Sequence, residues 1–190
     1  QVGSSLVVEL HVRDCGVRIC LLLCLFVVQL LLNAQSADAN LRQAAEDSLR
    51  QLQETNYATF LGELCTELAN NDKPPESRRL AGLVLKNALD AKDEARREAL
   101  VKGWVALPVD AKGQIKQLLV STLGSGSRDA SVPSAQVIAK IAGIEIPRKE
   151  WPELITALLQ NLQSGGQAPS HLTQAVLECL GFVCEEIGPG

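Results

Sequence analysis

The stretch "SRRLAGLVLKNALDAK", residues 77–92, decides the fold class. Its apolar residues recur every three or four positions, which is the period of an amphipathic α-helix. Within it a small or apolar residue precedes a glycine and an apolar tail, and this order occurs three times along the chain, at Ala81–Leu85, Ala142–Ile146 and Leu180–Cys184. A motif that returns in this way indicates a protein built from repeated helices.

A second apolar pattern precedes the first along the chain. It occurs in full twice and in part once, at Leu61, Leu64, Cys65 and Leu68, at Ile155, Leu158, Leu159 and Leu162, and at Ile115, Leu118 and Leu119. The two patterns alternate with a period of roughly 40 residues, which is the range of HEAT and armadillo repeats. The sequence therefore predicts an all-α fold, an α-solenoid of HEAT repeats whose antiparallel helix pairs stack in a right-handed superhelix. Leu83 and Ile141 are predicted to lie in its core.

Composition agrees with a helical protein. The chain is 46% hydrophobic but only 3% aromatic, and Leu and Ala, which favour helices, supply most of the apolar content. No alternation typical of strands competes. Proline, glycine and serine divide the helices: residues 124–134, "GSGSRDASVPS", are predicted to form a loop, and Pro152 is predicted to occupy the first turn of a helix.

Charge and chemistry exclude several function classes. A formal charge of −4 argues against nucleic-acid binding, which normally needs a concentrated basic face. The six cysteines include no CxxC pair, and His11 and His171 stand far apart, so we expect neither a metal site nor a cofactor. The cysteines are predicted to be core residues of a reduced protein. No catalytic motif is present, and the chain is predicted not to be an enzyme.

The apolar run Ile19–Leu32, "ICLLLCLFVVQLLL", leaves two interpretations open. It is shorter than the about 20 residues that a helix needs to span a bilayer. Arg13 and Arg18 before it and the small residues at 34–36 after it fit a secretory signal at 19–34, and hence a secreted or membrane-associated helical protein. The same run equally fits a buried helix.

Three longer stretches resemble the importin-β receptors of the karyopherin-β family, plant forms in particular. They are "LLNAQSADANLRQAAEDSLRQLQETNYATFLGELCTELANNDKPPESRRLAGLVLKNALDAKD" (31–93), "SAQVIAKIAGIEIPRKEWPELITALLQNL" (134–162) and "HLTQAVLECLGFVCEEI" (171–187). The resemblance runs from Val27 to Ile187 and covers the amino-terminal HEAT repeats of the family. It implies about four repeats at 25–187, an unmatched leader at 1–24 and a tail at 188–190. A generic HEAT scaffold remains the alternative within this fold.

The resemblance also implies a function. Members of this family import protein cargo through the nuclear pore, often through an importin-α-type adaptor, and contact the phenylalanine-glycine repeats of nucleoporins. Ran carrying GTP binds their inner surface and releases the cargo. The expected partners are therefore Ran-GTP, cargo, adaptor and nucleoporins, with no nucleic acid and no membrane insertion. The expected location is the cytoplasm, the nucleus and the nuclear pore.

Each second helix carries a polar stripe with a glycine in it. The stripes contain Arg79, Gly82, Lys86 and Asp90; Gln136, Lys140 and Gly143; and Gln174, Glu178, Gly181 and Glu185. Aligned on stacked helices they would form a continuous inner surface, which solenoids use to bind partners. The Ran-binding candidates are Arg79, Lys86, Asn87, Gln136, Lys140 and Glu178. Lys86 and Asn87 come first among these candidates because they lie in "LVLKNAL", a stretch that closely resembles the family. The other four are candidates because of helical geometry alone.

Overall fold

The computed structural model describes residues 26–163 and 170–188, which form helices joined by turns and contain no strand. The helices in these ranges are α1 (26–33), α2 (Ala39–Thr55), α3 (Tyr57–Ala69), α4 (Pro75–Asn87), α5 (Glu94–Val105), α6 (Val109–Thr122), α7 (Arg128–Glu145), α8 (Leu154–Gln163) and α9 (Ser170–Ile187). The all-α prediction is therefore confirmed.

The chain divides into two compact units, Gln1–Gln51 and Leu52–Gly190. In the first unit, Val27, Leu30 and Leu31 of α1 are buried, so the end of the apolar opening run is helical and packed. The predicted leader at 1–24 lies outside the described residues. None of the helices in the described ranges is long and apolar enough to cross a membrane.

The second unit is a stack of helix pairs. Helix α3 packs against α4, α6 against α7, and α8 against α9. The first helices α3 and α6 are neighbours, and the second helices form a row in which α7 lies between α4 and α9. The unit thus has a layer of first helices and a layer of second helices, the arrangement expected for HEAT repeats. Helix α5 is an additional element between α4 and α6.

The core lies between these two layers. The four apolar residues predicted for α3 (Leu61, Leu64, Cys65 and Leu68) are all buried, as are Ile115 and Leu119 of α6. Trp104 of α5 is fully buried, and Trp151 nearly so. Both tryptophans therefore contribute to packing between helices.

The predicted loop at 124–134 was wrong in its second half. Helix α7 begins at Arg128, and Pro133 lies inside it. Proline lacks the N–H that would bond four residues back, but the first turn still forms, because Ser131 N–H donates to Ser127 O at 3.0 Å. Pro133 is also buried, so its ring packs against neighbouring residues. Pro152 was predicted to lie in the first turn of a helix. It lies instead in the turn before α8, which begins at Leu154.

Several residues predicted to be buried are exposed. Leu83 is 47% exposed, whereas Ile141 is fully buried as predicted. Leu83 lies two positions from both Ala81 and Leu85, which are buried, so it points away from the core. Within residues 154–160 of α8 the buried side chains are Leu154 and Leu158, while Ile155 and Leu159 are 39% and 41% exposed. Cys65 and Cys179 are buried, but Cys184 is exposed.

Candidate functional site

The candidate site lies on the row of second helices in the second unit. We call second-helix face the side of α4, α7 and α9 that carries the six candidates, namely Arg79, Lys86, Asn87, Gln136, Lys140 and Glu178. Helix α4 begins with Pro75 and Glu76 and has Lys86 in its last turn, which are favourable residues for the two ends of a helix dipole.

The helices α4 and α7 approach closely at a glycine. A β-carbon on Gly82 would lie 2.3 Å from Cβ of Pro133, so only glycine fits there. Gly82 is buried, and the element that approaches it closely is the neighbouring helix α7 of the same chain. A β-carbon on Gly181 of α9, by contrast, would meet no heavy atom within 4 Å among the described residues.

At the carboxyl ends of the second helices, one lysine joins three segments. Lys140 Nζ of α7 lies 2.7 Å from Asp90 Oδ2, after α4, and also contacts Glu186 Oε1 of α9. Burial lowers the pKa of Lys140, but the hydrogen bonds to these two carboxylates together outweigh burial and raise the pKa above its ordinary value. Lys140 is therefore held as a cation between its neighbours.

At the amino ends of the same helices, exposed ion pairs link neighbours. Arg79 Nε of α4 is 3.8 Å from Asp129 Oδ1 of α7, and Arg128 Nη2 of α7 is 3.0 Å from Glu178 Oε1 of α9. Gln174 also donates to Glu178 Oε1, at 3.0 Å. Arg79, Lys140 and Glu178 thus already form ion pairs with other side chains of the chain. Exposed pairs are weak, at about 0–1 kcal/mol, so a partner can displace them.

Lys86, Asn87 and Gln136 form the unpaired part of the second-helix face. Asn87 is exposed, and Lys86 and Gln136 are half-buried. Within residues 26–163 and 170–188, none of these three side chains forms a hydrogen bond or an ion pair with another residue. Their donors and acceptors are available to a partner.

Buried polar contacts orient α4 behind this face. Arg78, next to Arg79, is 3% exposed; its Nε donates to Leu68 O at 2.8 Å and its Nη2 to Ser125 Oγ at 3.2 Å. Glu67, also buried, accepts from Ser77 Oγ at 2.5 Å and pairs with Lys73 at 3.0 Å. With Arg78 fixed inward, Arg79 and Leu83 point outward.

A second buried carboxylate supports α7. Glu145 Oε1 accepts from Trp104 Nε1 at 3.1 Å, and Glu145 Oε2 pairs with Lys116 Nζ at 2.9 Å. Lys116 Nζ also lies 4.9 Å from the centre of the Trp151 ring. The sequence did not reveal that Glu67 and Glu145 are buried, because the residues that pair with them lie 6 to 41 positions away along the chain. The only sign of burial in the sequence was that each glutamate occupies a position where the helical pattern would place an apolar residue.

The described ranges contain no group of three or more His, Cys, Asp or Glu side chains that could hold a metal ion. The second-helix face offers cations, carboxylates, amides and an exposed leucine on neighbouring helices, and these groups can bind a partner. A stack of helix pairs with an extended polar surface along its second helices defines a HEAT-type α-solenoid, a class that commonly binds partners through such surfaces.

Comparisons with known proteins agree with this class. Residues 45–125 match the family model described as the importin-beta N-terminal domain. Importin subunit beta-1 of Arabidopsis thaliana is 54% identical over 86% of this chain. The prediction from the sequence is confirmed: the chain belongs to the importin-β family and matches its amino-terminal HEAT-repeat region. The same match covers 18% of the Arabidopsis protein, so the chain spans about a fifth of the length of its relatives.

Solved structures of yeast importin β, Kap95p, are also similar. One, in which Kap95p binding induces the switch loops of RanGDP to adopt the GTP-bound conformation, has a TM-score of 0.81 and 34% identity. It covers 88% of this chain, which matches 19% of that chain. Another, a Kap95:Nup1 complex, has a TM-score of 0.78 at 34% identity and covers 86% of this chain and 19% of that one. These matches favour the import-receptor interpretation over the secreted protein and the generic scaffold.

Proposed function

We propose that this chain is the Ran-binding amino-terminal part of a nuclear import receptor, and that Ran-GTP binds the second-helix face. On this proposal residues 25–187 hold four HEAT repeats, with α1 and α2 as the first pair. The chain acts by binding alone and is not an enzyme. It works in the cytoplasm, in the nucleus and at the nuclear pore.

The observation that carries the proposal is the unpaired group Lys86, Asn87 and Gln136 on parallel second helices. Donors left without partners on an accessible face are available for recognition, whereas Arg78 and Trp104 behind them have hydrogen-bond acceptors within the chain. The similarity to a Kap95p structure that involves RanGDP supports the choice of partner.

Each candidate has a distinct role in the proposed contact. The Lys86 ammonium pairs with a carboxylate of the Ran switch region, and the Asn87 amide bonds to its backbone. Gln136 adds a hydrogen bond from the neighbouring helix. Arg79, Lys140 and Glu178 already pair within the chain, so their contribution comes from exchanging partners as Ran docks.

In the full receptor, Ran-GTP and cargo compete through one solenoid. Cargo, bound directly or through an importin-α-type adaptor, and Ran-GTP would each favour a different curvature, and this difference in affinity couples their binding. Phenylalanine-glycine nucleoporins are the further partners that we propose, in line with the Kap95:Nup1 structure.

The test is calorimetry of this chain with Ran loaded with GTP or with GDP. Lys86→Glu should weaken binding of Ran-GTP at least about tenfold, since like charge replaces opposite charge at the contact. The matched control is Lys102→Glu on α5, whose side chain is 79% exposed and outside the second-helix face. Unchanged affinity of a Lys86→Glu, Lys140→Glu double variant would overturn the assignment of the face.

A further inference from the structure

Leu83 is the exposed large apolar side chain of α4, and it lies among the α4 candidates of the second-helix face. Residues three and four positions away share its side of the helix, and these are Arg79, Leu80, Lys86 and Asn87. Single exposed leucines are common on protein surfaces and need no explanation by themselves. Leu83 differs because the two side chains in the turn after it, Lys86 and Asn87, are a cation and an amide without partners among the described residues.

The exposed charges of the second helices differ between the two ends of the row. With the buried Arg78 left out, α4 has Arg79 and Lys86 against one acid, Glu76. With the buried Glu145 left out, α7 has Arg128 and Lys140 against Asp129, and α9 has three glutamates and neither lysine nor arginine. A partner on this face would meet a basic, partly apolar surface at α4 and an acidic one at α9. Charge complementarity therefore specifies the partner's surface and its orientation.

We infer that Leu83 is the apolar anchor of the Ran contact: it takes an apolar side chain of Ran that has a carboxylate beside it, with the carboxylate paired to Lys86. This inference rests on the proposed function and names the chemistry of the same site. An apolar contact in the centre, surrounded by polar groups that exclude water, is the arrangement in which a few residues carry most of an interface's affinity. The basic part of the partner faces α9.

The variant Leu83→Ser tests the anchor, with Val109→Ser as the matched control. Val109 is 80% exposed and lies on α6, a first helix, so it should not contact a partner on the second-helix face. In calorimetry with Ran-GTP we expect Leu83→Ser to bind at least about tenfold more weakly, as for a residue that carries much of an interface's affinity, and Val109→Ser to bind like the wild type. Leu83→Met keeps the apolar volume and should retain most of the affinity.

Thermal melts of each variant separate binding from folding, because an exposed residue should leave the melting temperature nearly unchanged. If the wild type binds Ran-GTP and Lys86→Glu weakens it, but Leu83→Ser binds like the wild type, the anchor is overturned while the proposed function stands. Equal losses in Leu83→Met and Leu83→Ser also overturn the anchor. A wild-type chain that binds no Ran in either nucleotide state overturns the proposed function itself.

Discussion

Gly82 of α4 lies against Pro133 of α7 so closely that a β-carbon on Gly82 would be 2.3 Å from Cβ of Pro133. A missing side chain on one helix and a rigid ring on the next let the two second helices approach. The contact therefore sets the spacing of α4 and α7, on which the geometry of the second-helix face depends.

Gly82→Ala should destabilise the protein. Alanine would normally gain up to about 1 kcal/mol over glycine in a helix, but here its methyl group meets a buried proline ring that has no other rotamer. We expect a net loss of about 1–3 kcal/mol in the free energy of unfolding, the usual cost of overpacking. Urea denaturation followed by circular dichroism measures it.

The control for this substitution is Gly113→Ala on α6, where an added β-carbon meets nothing within 4 Å. That variant should be as stable as the wild type or slightly more so. Equal stabilities of the two alanine variants would contradict the close contact between Gly82 and Pro133.

Ile141 is buried and Leu83 is exposed, although both lie at apolar positions of the helical pattern in the sequence. Ile141→Ala should lower the free energy of unfolding by about 2–5 kcal/mol, because it leaves a cavity in a fully buried site. Leu83→Ala should cost about 0.5 kcal/mol or less, as for other surface substitutions. Chemical denaturation of the two variants side by side decides the point, and similar losses would show that Leu83 is packed.

The Lys140 bridge should give a stability that depends on pH. Its pKa is raised in the folded protein, so its contribution is complete below the pKa of an unfolded lysine, about 10.4, and is lost as pH rises through the folded value. Lys140→Gln should therefore cost about 1 kcal/mol at neutral pH, the upper end for partly exposed pairs. The difference from the wild type should shrink only in strongly alkaline solution.

Denaturation curves from neutral to alkaline pH check this expectation. Lys102→Gln is the control, since Lys102 pairs only with Glu98 of its own helix, at 3.6 Å, among the residues described. A stability difference for Lys140→Gln that vanishes as pH is lowered toward neutrality would have the wrong sign and would exclude the bridge as its cause.

Glu145→Ala should be among the most damaging single changes. It leaves the buried Trp104 indole N–H without an acceptor and Lys116 without its carboxylate. Breaking a buried pair in this way costs about 3–5 kcal/mol. Glu145→Gln keeps an amide oxygen for the indole and should cost less. Denaturation followed by tryptophan fluorescence compares the two, and a glutamine variant that is no better than alanine would argue against the Trp104 bond.

The candidate face shows where sequence reasoning is limited. Helical spacing placed Arg79 and Lys86 on one stripe and Lys140 on the next, and α4 and α7 do bring the two stripes to the same row of helices. Spacing could not show that Arg79 pairs with Asp129 and Lys140 with Asp90, because those partners lie 50 residues away along the chain. The division into occupied and unpaired candidates thus needed the structure.

The sequence by itself determined the all-helical class, the repeated helix pattern and the resemblance to importin β, since helical period and motif residues can be read within short stretches of the chain. The tertiary structure alone decided which side of each helix is buried: it exposed Leu83, buried Gly82 against Pro133, and carried α7 through a stretch predicted to be a loop. The physical reason is that burial and ion pairing depend on the neighbouring helix, and a period of 3.6 residues defines a stripe without specifying what packs against it.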